Sequence, residues 1–120
     1  LFLEALQVIT AKNPLPFITG TICAHHCMDK CMRNHYECPV NIRGTKLQAA
    51  EGAFEELLAI TEISREGEKV AIIGGGPAGL AAAYHAQKHG LQATVFEKRE
   101  TLGGIVRNVI PGFRIGRHRQ

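Results

Sequence analysis

Glycines at 74, 76 and 79, directly behind a short β-branched run, restrict the folding of this chain more than any other feature in it. Lys69-Val70-Ala71-Ile72-Ile73 reads as a buried parallel strand, too short for a helix and closed by glycine. The alanine-rich stretch from Leu80 to His89 reads as a helix ending at Gly90, a residue suited to the left-handed turn past a helix terminus. A second strand, Gln92 to Phe96, ends at Glu97, eighteen residues past Gly79. A Gly-x-Gly-x-x-Gly pattern by itself is weak. Set between a strand and a helix, with an acid at the end of the next strand, it specifies a βαβ unit whose turn accepts an anion. Gly74 permits the tight turn, Gly76 lets backbone approach a pyrophosphate, Gly79 lets the helix pack closely on the strand, and Glu97 can accept from a ribose hydroxyl. Glycines that merely make a turn would not explain why all four features agree. The expectation is a dinucleotide, FAD or NAD, bound by this unit.

The second signal lies elsewhere in the chain. All four cysteines, Cys23, Cys27, Cys31 and Cys38, fall within sixteen positions. A disulfide framework of a small secreted domain would scatter them, so metal or cluster ligation is the better reading. If 23–32 is helical, the first three thiols share one stripe at intervals of about 6 Å. Zinc is the rival: four thiolates, or three with His25, His26 or His35, could close a tetrahedral site. The spacers of three, three and six residues are not paired knuckles, however, and Pro39 directly follows the last cysteine, as in bacterial ferredoxins. Iron–sulfur is favoured, and the histidines are read as surface residues.

Around the cysteines the chain patterns as helix. Phe2, Leu3, Leu6 and Ile9 form an amphipathic face that must end before the rigid connector Asn13-Pro14-Leu15-Pro16. Thr45 with Gln48 predicts a capping box, opening a helix whose core face is Leu47, Ala50, Phe54, Leu57 and Leu58. Residues 61–69 are polar and read as a linker. The two sides differ in charge. Through Glu68 there are six Lys/Arg against nine Asp/Glu, and after it eight against two, so the glycine-rich side is basic and suited to an anionic cofactor. A solvated basic tail at Arg114, Arg117, His118 and Arg119 accounts for part of that excess.

With 120 residues the chain is shorter than most complete enzymes and is expected to be a piece of one. No targeting segment is seen. The longest apolar stretch, 70–84, is broken by glycines and a proline, which excludes a membrane span and leaves a soluble, cytoplasmic protein as the expectation. No tryptophan and 6% aromatics argue against a stacking platform for nucleic acid.

Several of these segments, in this order, resemble one family: Asn13-Pro14-Leu15-Pro16, Thr19-Gly20-x-Ile22-Cys23, the cysteines, Pro39-Val40-Asn41-Ile42 and Val70 to Gly79. It is the glutamate synthase small-subunit family, which includes the N-terminal part of dihydropyrimidine dehydrogenase. The resemblance continues through Glu97-Lys98-Arg99, Leu102-Gly103-Gly104 and Ile110-Pro111-Gly112-Phe113-Arg114, similar to that family's FAD loop. It implies an NAD(P)H-dependent FAD and iron–sulfur oxidoreductase in which an α-helical ferredoxin-type domain precedes an FAD domain. Hydride enters the flavin, single electrons leave through 4Fe-4S clusters, and a partner subunit or domain does the substrate chemistry.

By the family pattern Cys23 and Cys27 serve one cluster and Cys31 completes another, with further ligands lying upstream of Leu1. Lys46 stands where many members carry a Glu or Gln ligand, and Cys38 is an extra thiol that could compensate.

The reading is thus an α+β chain. Residues 1–66 form a small helical iron–sulfur-type domain, and residues 67–120 an incomplete Rossmann βαβ unit with two parallel strands. Cofactor contacts are assigned to Gly74, Gly76, Pro77, Ala78, Gly79, Glu97, Lys98 and Gly104, and metal ligation to Cys23, Cys27, Cys31 and Cys38. No residue reads as a general acid, base or nucleophile, and the isolated piece is expected to be inactive. Exposed sheet edges invite pairing with a second copy. The alternative is a zinc-binding interaction module fused to a nucleotide-binding unit.

Overall fold

The computed structural model describes residues 1–63 and 66–115. Four helices come first: α1 (Phe2–Thr10), α2 (Pro16–Ile22), α3 (His26–Asp29) and α4 (Ile42–Ile60), with a 3-10 turn at Met32–His35. Strand β1 (Lys69–Ile73), helix α5 (Pro77–Lys88) and strand β2 (Gln92–Phe96) follow, then two short helices, α6 (Gly104–Asn108) and α7 (Gly112–Ile115). The expected mixed fold with two parallel strands holds, in register from Lys69 opposite Gln92 to Ile73 opposite Phe96.

The helical core is small. Leu6 of α1 is fully buried against Ala50 and Ala53 of α4, with Leu3, Phe17, Phe54 and Leu57 around them. Phe17 and Phe54 meet edge to face at 5.0 Å between ring centres, a favourable aromatic geometry. Small residues set the close approach. A Cβ at Gly20 of α2 would lie 3.1 Å from the Leu47 Cβ, and one at Gly52 would lie 2.9 Å from the Phe2 ring. Leu58, expected on this face, is half exposed, because the buried stripe of α4 runs through Ala49, Ala50 and Ala53 instead. Leu6→Ala removes the one large side chain at the centre of this cluster. It is expected to lower stability by about 2–5 kcal/mol in urea unfolding followed by helical circular dichroism; a loss below about 1 kcal/mol would mean that the neighbours collapse to refill the site.

The capping box does not form. Helix α4 begins three residues ahead of Thr45, at Ile42, because the Asn41 side-chain oxygen accepts from the Gly44 N–H at 3.0 Å. Asparagine is the stronger N-cap, and Thr45 becomes an interior residue whose hydroxyl donates back to the Asn41 carbonyl at 2.9 Å. Likewise α5 opens at Pro77 rather than Leu80, proline at the first helical position having no N–H to leave unpaired.

Strand β1 is covered on one face only. Val70 and Ile72 lie on the half-buried face that packs against α5, while Ala71 and Ile73 face outward, Ile73 being 84% exposed. Helix α7 turns back against α2 and buries Ile115. The basic residues Arg117, His118 and Arg119, and part of the expected linker, lie outside the described residues.

Candidate dinucleotide and cysteine sites

The glycine turn grows directly out of the sheet. Gly74 donates its N–H to the Phe96 carbonyl at 2.8 Å, extending the strand pairing by one residue, and then turns the chain with φ at +104°. That left-handed value favours glycine, and a Cβ there would meet nothing within 4 Å. Gly76 is different: its backbone is extended, so any residue could adopt it, and a Cβ would find only the Gly104 Cα at 3.8 Å. Glycine at 76 therefore serves the open space above it. Gly79 meets the third requirement, since a Cβ would run into the Gly74 carbonyl oxygen. Only without a side chain at 79 can α5 sit this close to the turn.

Around the turn, Gly104 (φ +52°) approaches so closely that a Cβ on it would lie 2.8 Å from the Gly76 Cα and 3.6 Å from the Pro77 ring. Glu97 stands at the mouth, its carboxylate accepting from the Gly75 N–H at 2.7 Å and the Arg99 N–H at 3.0 Å. The Arg99 N–H, then the Gly75 N–H, hold this carboxyl below the usual carboxylate range, with the Lys98 N–H and the Arg99 charge adding to them. The sign follows from a depressed folded-state value: the bonds are fully present above the ordinary carboxylate range and are lost as pH falls through the lowered one. Gly74, Gly76, Pro77, Ala78, Gly79, Glu97 and Gly104 thus come together around one turn, with Lys98 exposed beside it. Glu97 is ionised at neutral pH, offering acceptors only, which suits sugar hydroxyls. A phosphate, in turn, suits the bare N-terminus of the twelve-residue α5.

Gly75 was not singled out from the sequence, although it is the buried centre of the turn. The only signal was the run of three successive glycines, two of which the motif already used.

The cysteine segment departs from the expected stripe. Cys23 leaves helical dihedrals (ψ 132°), His25 is left-handed (φ 49°), α3 lasts only four residues, and Cys31 is extended again. The reason lies in the carbonyl of Cys23, which a continuing helix would give to the Cys27 N–H. It accepts instead from the Arg43 guanidinium of α4 at 3.1 Å. The four thiols are unpaired, Cys23 and Cys31 half-buried, Cys27 and Cys38 exposed. The Cys31 thiol is held below its ordinary pKa by the Val40 N–H, then the Arg33 N–H, with the Arg33 charge contributing. Beside Cys23, the buried Nδ1 of His25 has no hydrogen-bond partner among the described residues; Asp29 is 3.7 Å away. Soft thiolates fit iron–sulfur chemistry by type. By position they do not form a closed site, since among the described residues no three His, Cys, Asp or Glu side chains converge as a metal-binding group.

A helical cysteine-bearing module joined to a Rossmann-type βαβ unit is the class that this architecture defines. Comparison with known proteins agrees on both sides of the joint. Residues 1–57 match the 4Fe-4S cluster domain described as dihydropyrimidine dehydrogenase domain II, and residues 72–117 match an NAD(P)-binding Rossmann-like domain. The protein YgfK of Escherichia coli (strain K12) is 42% identical over 117 residues, 95% of this chain and 11% of its own length. The glutamate synthase [NADPH] small chain of Mycobacterium tuberculosis (strain CDC 1551 / Oshkosh) is 35% identical over 93% of this chain and 23% of its own length. The NADPH-Fe(3+) oxidoreductase subunit beta of Geobacter sulfurreducens (strain DL-1 / KN400) is 35% identical over 98% of this chain and 18% of its own. Over nearly all of its length the chain is similar to glutamate synthase small-chain-like proteins, and it spans less than a quarter of the length of these relatives.

Proposed function

We propose that the chain is the joint of an NAD(P)H-dependent flavoprotein oxidoreductase: an iron–sulfur-type domain over residues 1–66 and the adenine-side half of an FAD site over 67–120. The observation that carries this reading is the glycine turn at 74–79, open above Gly74 and Gly76 and faced by the ionised Glu97. In it the α5 N-terminus, with Pro77, Ala78 and Gly79, holds the pyrophosphate, and Glu97 holds the adenosine ribose. Lys98 adds positive charge at the rim, and Gly104 keeps the opposite wall bare. FAD, when bound, supplies the exchange between two-electron and one-electron transfer.

Cys23, Cys27, Cys31 and Cys38 are assigned as thiolate ligands for 4Fe-4S, completed by groups from outside the described residues. The match to a 4Fe-4S domain and the lowered Cys31 thiol support that assignment. A catalytic partner subunit or domain receives the electrons. The names of relatives that are subunits of larger oxidoreductases support this, and the exposed sheet edge leaves room for a second copy. Unpaired thiols fit a reducing, cytoplasmic compartment, and no helix among the described residues is long and apolar enough to cross a membrane.

Flavin, iron, sulfide and zinc analysis of the full-length protein, purified without oxygen, tests the reading. The expected result is bound FAD with iron and sulfide in equal amounts. Stoichiometric zinc without flavin would replace it with a zinc-binding interaction module.

A further inference from the structure

The glycine turn is held from three sides by the chain's own groups, and Gly75 is the point held. Its N–H donates to Glu97 Oε2 at 2.7 Å. Its carbonyl accepts from the Gly103 N–H at 2.7 Å. The place a Cβ would take is filled by the Leu102 Cδ2 methyl, with Glu97 Oε2 at 3.2 Å and Glu97 Cβ at 3.3 Å. Gly75 is buried, whereas Gly74 and Gly76 on either side remain open toward the cradle. Such a turn, built of three consecutive glycines, has more backbone freedom to lose than any other sequence of its length. Without a restraint, a ligand would have to order it, and affinity would fall accordingly.

We propose that Glu97 is a positioning residue for the phosphate cradle: its carboxylate, with the 102–103 segment, fixes Gly75 so that the turn is ordered in advance of binding. The inference rests on the FAD-site reading and adds to the ribose contact a second, ribose-independent role for the same carboxylate. A carboxylate has lone pairs for both, since two oxygens offer about four acceptor positions.

The test uses the full-length protein freed of flavin. Two probes are compared by fluorescence quenching: FAD, and an FAD analogue whose adenosine ribose lacks both hydroxyls. If Glu97 orders the turn, Glu97→Ala weakens the analogue on the order of tenfold, equivalent to about 1.4 kcal/mol, and weakens FAD by that factor and by the lost ribose contact besides. Glu97→Gln keeps an acceptor oxygen and restores most of the analogue's affinity. Unchanged affinity of Glu97→Ala for the analogue would confine the residue to the ribose and overturn the proposal. Hydrogen exchange at the Gly75 amide without ligand gives an independent answer. Protection is expected in the wild type and Glu97→Gln and absent in Glu97→Ala; protection that persists in Glu97→Ala refutes the brace. If the wild type binds no FAD, the site reading fails, while the amide measurement still decides the brace.

Discussion

Gly76→Val in the full-length protein is expected to leave the fold intact and to abolish flavin loading. The backbone at Gly76 is extended, with φ −79° and ψ −176°, so valine adopts it without strain, and the nearest heavy atom to its Cβ is the Gly104 Cα at 3.8 Å. A Cβ at 76 therefore meets only ordinary van der Waals contact within the chain. In the proposed reading this is where the pyrophosphate lies against the backbone, and the two branches of valine would take its place. Affinity for FAD is expected to fall by roughly a hundredfold or more, equivalent to about 3 kcal/mol, with the unfolding midpoint of the flavin-free protein little changed. Gly79→Ala serves as the contrast. Its Cβ meets the Gly74 carbonyl, which is backbone and cannot rotate away, so α5 must shift off the turn. Overpacking of this kind costs about 1–3 kcal/mol, and both stability and flavin affinity are expected to drop together. Normal flavin content in Gly76→Val would remove the basis for placing the phosphates at this turn.

The second large effect concerns the thiols. Cys23→Ser or Cys27→Ser in the full-length protein is expected to remove one cluster, read as the loss of about four iron atoms per chain and of the corresponding visible absorbance. The fold should survive either change. Cys27 is exposed, and the Cys23 turn is anchored through its backbone carbonyl by Arg43, while the weak acceptor role of the Cys23 sulfur toward the His25 N–H at 3.5 Å is one that a serine oxygen can take. Cys38→Ser separates a ligand from a bystander. Helix α4 takes its cap from Asn41, so helicity is kept in any case, and only iron content reports whether the thiol serves as a ligand. Iron content equal to the wild type in Cys38→Ser would reduce the ligand set to the other three cysteines. Full iron content in both Cys23→Ser and Cys27→Ser would overturn the assignment of this segment to iron–sulfur binding.

Sequence by itself determined the βαβ unit and where its turn falls. Those features are encoded locally: a β-branched pentapeptide, glycine where φ is positive, an alanine-rich helix whose start the pattern places at Leu80 and the structure at Pro77, and glycine at its end with φ +79°. It also marked Glu97, because the length of one helix and one strand fixes how far past Gly79 the second strand ends. The amphipathic face of α1 was legible for the same reason, Leu6 sitting at its centre.

What only the folded structure decided were matters of competition between groups, most of them distant along the chain. The regular cysteine spacing carries a helical period, yet Arg43, twenty residues along the chain, takes the Cys23 carbonyl and the helix ends there. Thr45 and Gln48 match a capping box, but Asn41, the stronger capping residue, accepts from the Gly44 N–H and sets the start of α4. The half-exposed face of β1 follows from having a helix on one side of a two-stranded sheet, which no pentapeptide can encode. Gly75 gives the same lesson at the site. It looks interchangeable with its neighbours in the glycine run, and its role appears only once Glu97, Leu102 and Gly103 arrive from more than twenty residues away to hold it, because a hydrogen bond or a close contact depends on separation in space, not along the chain.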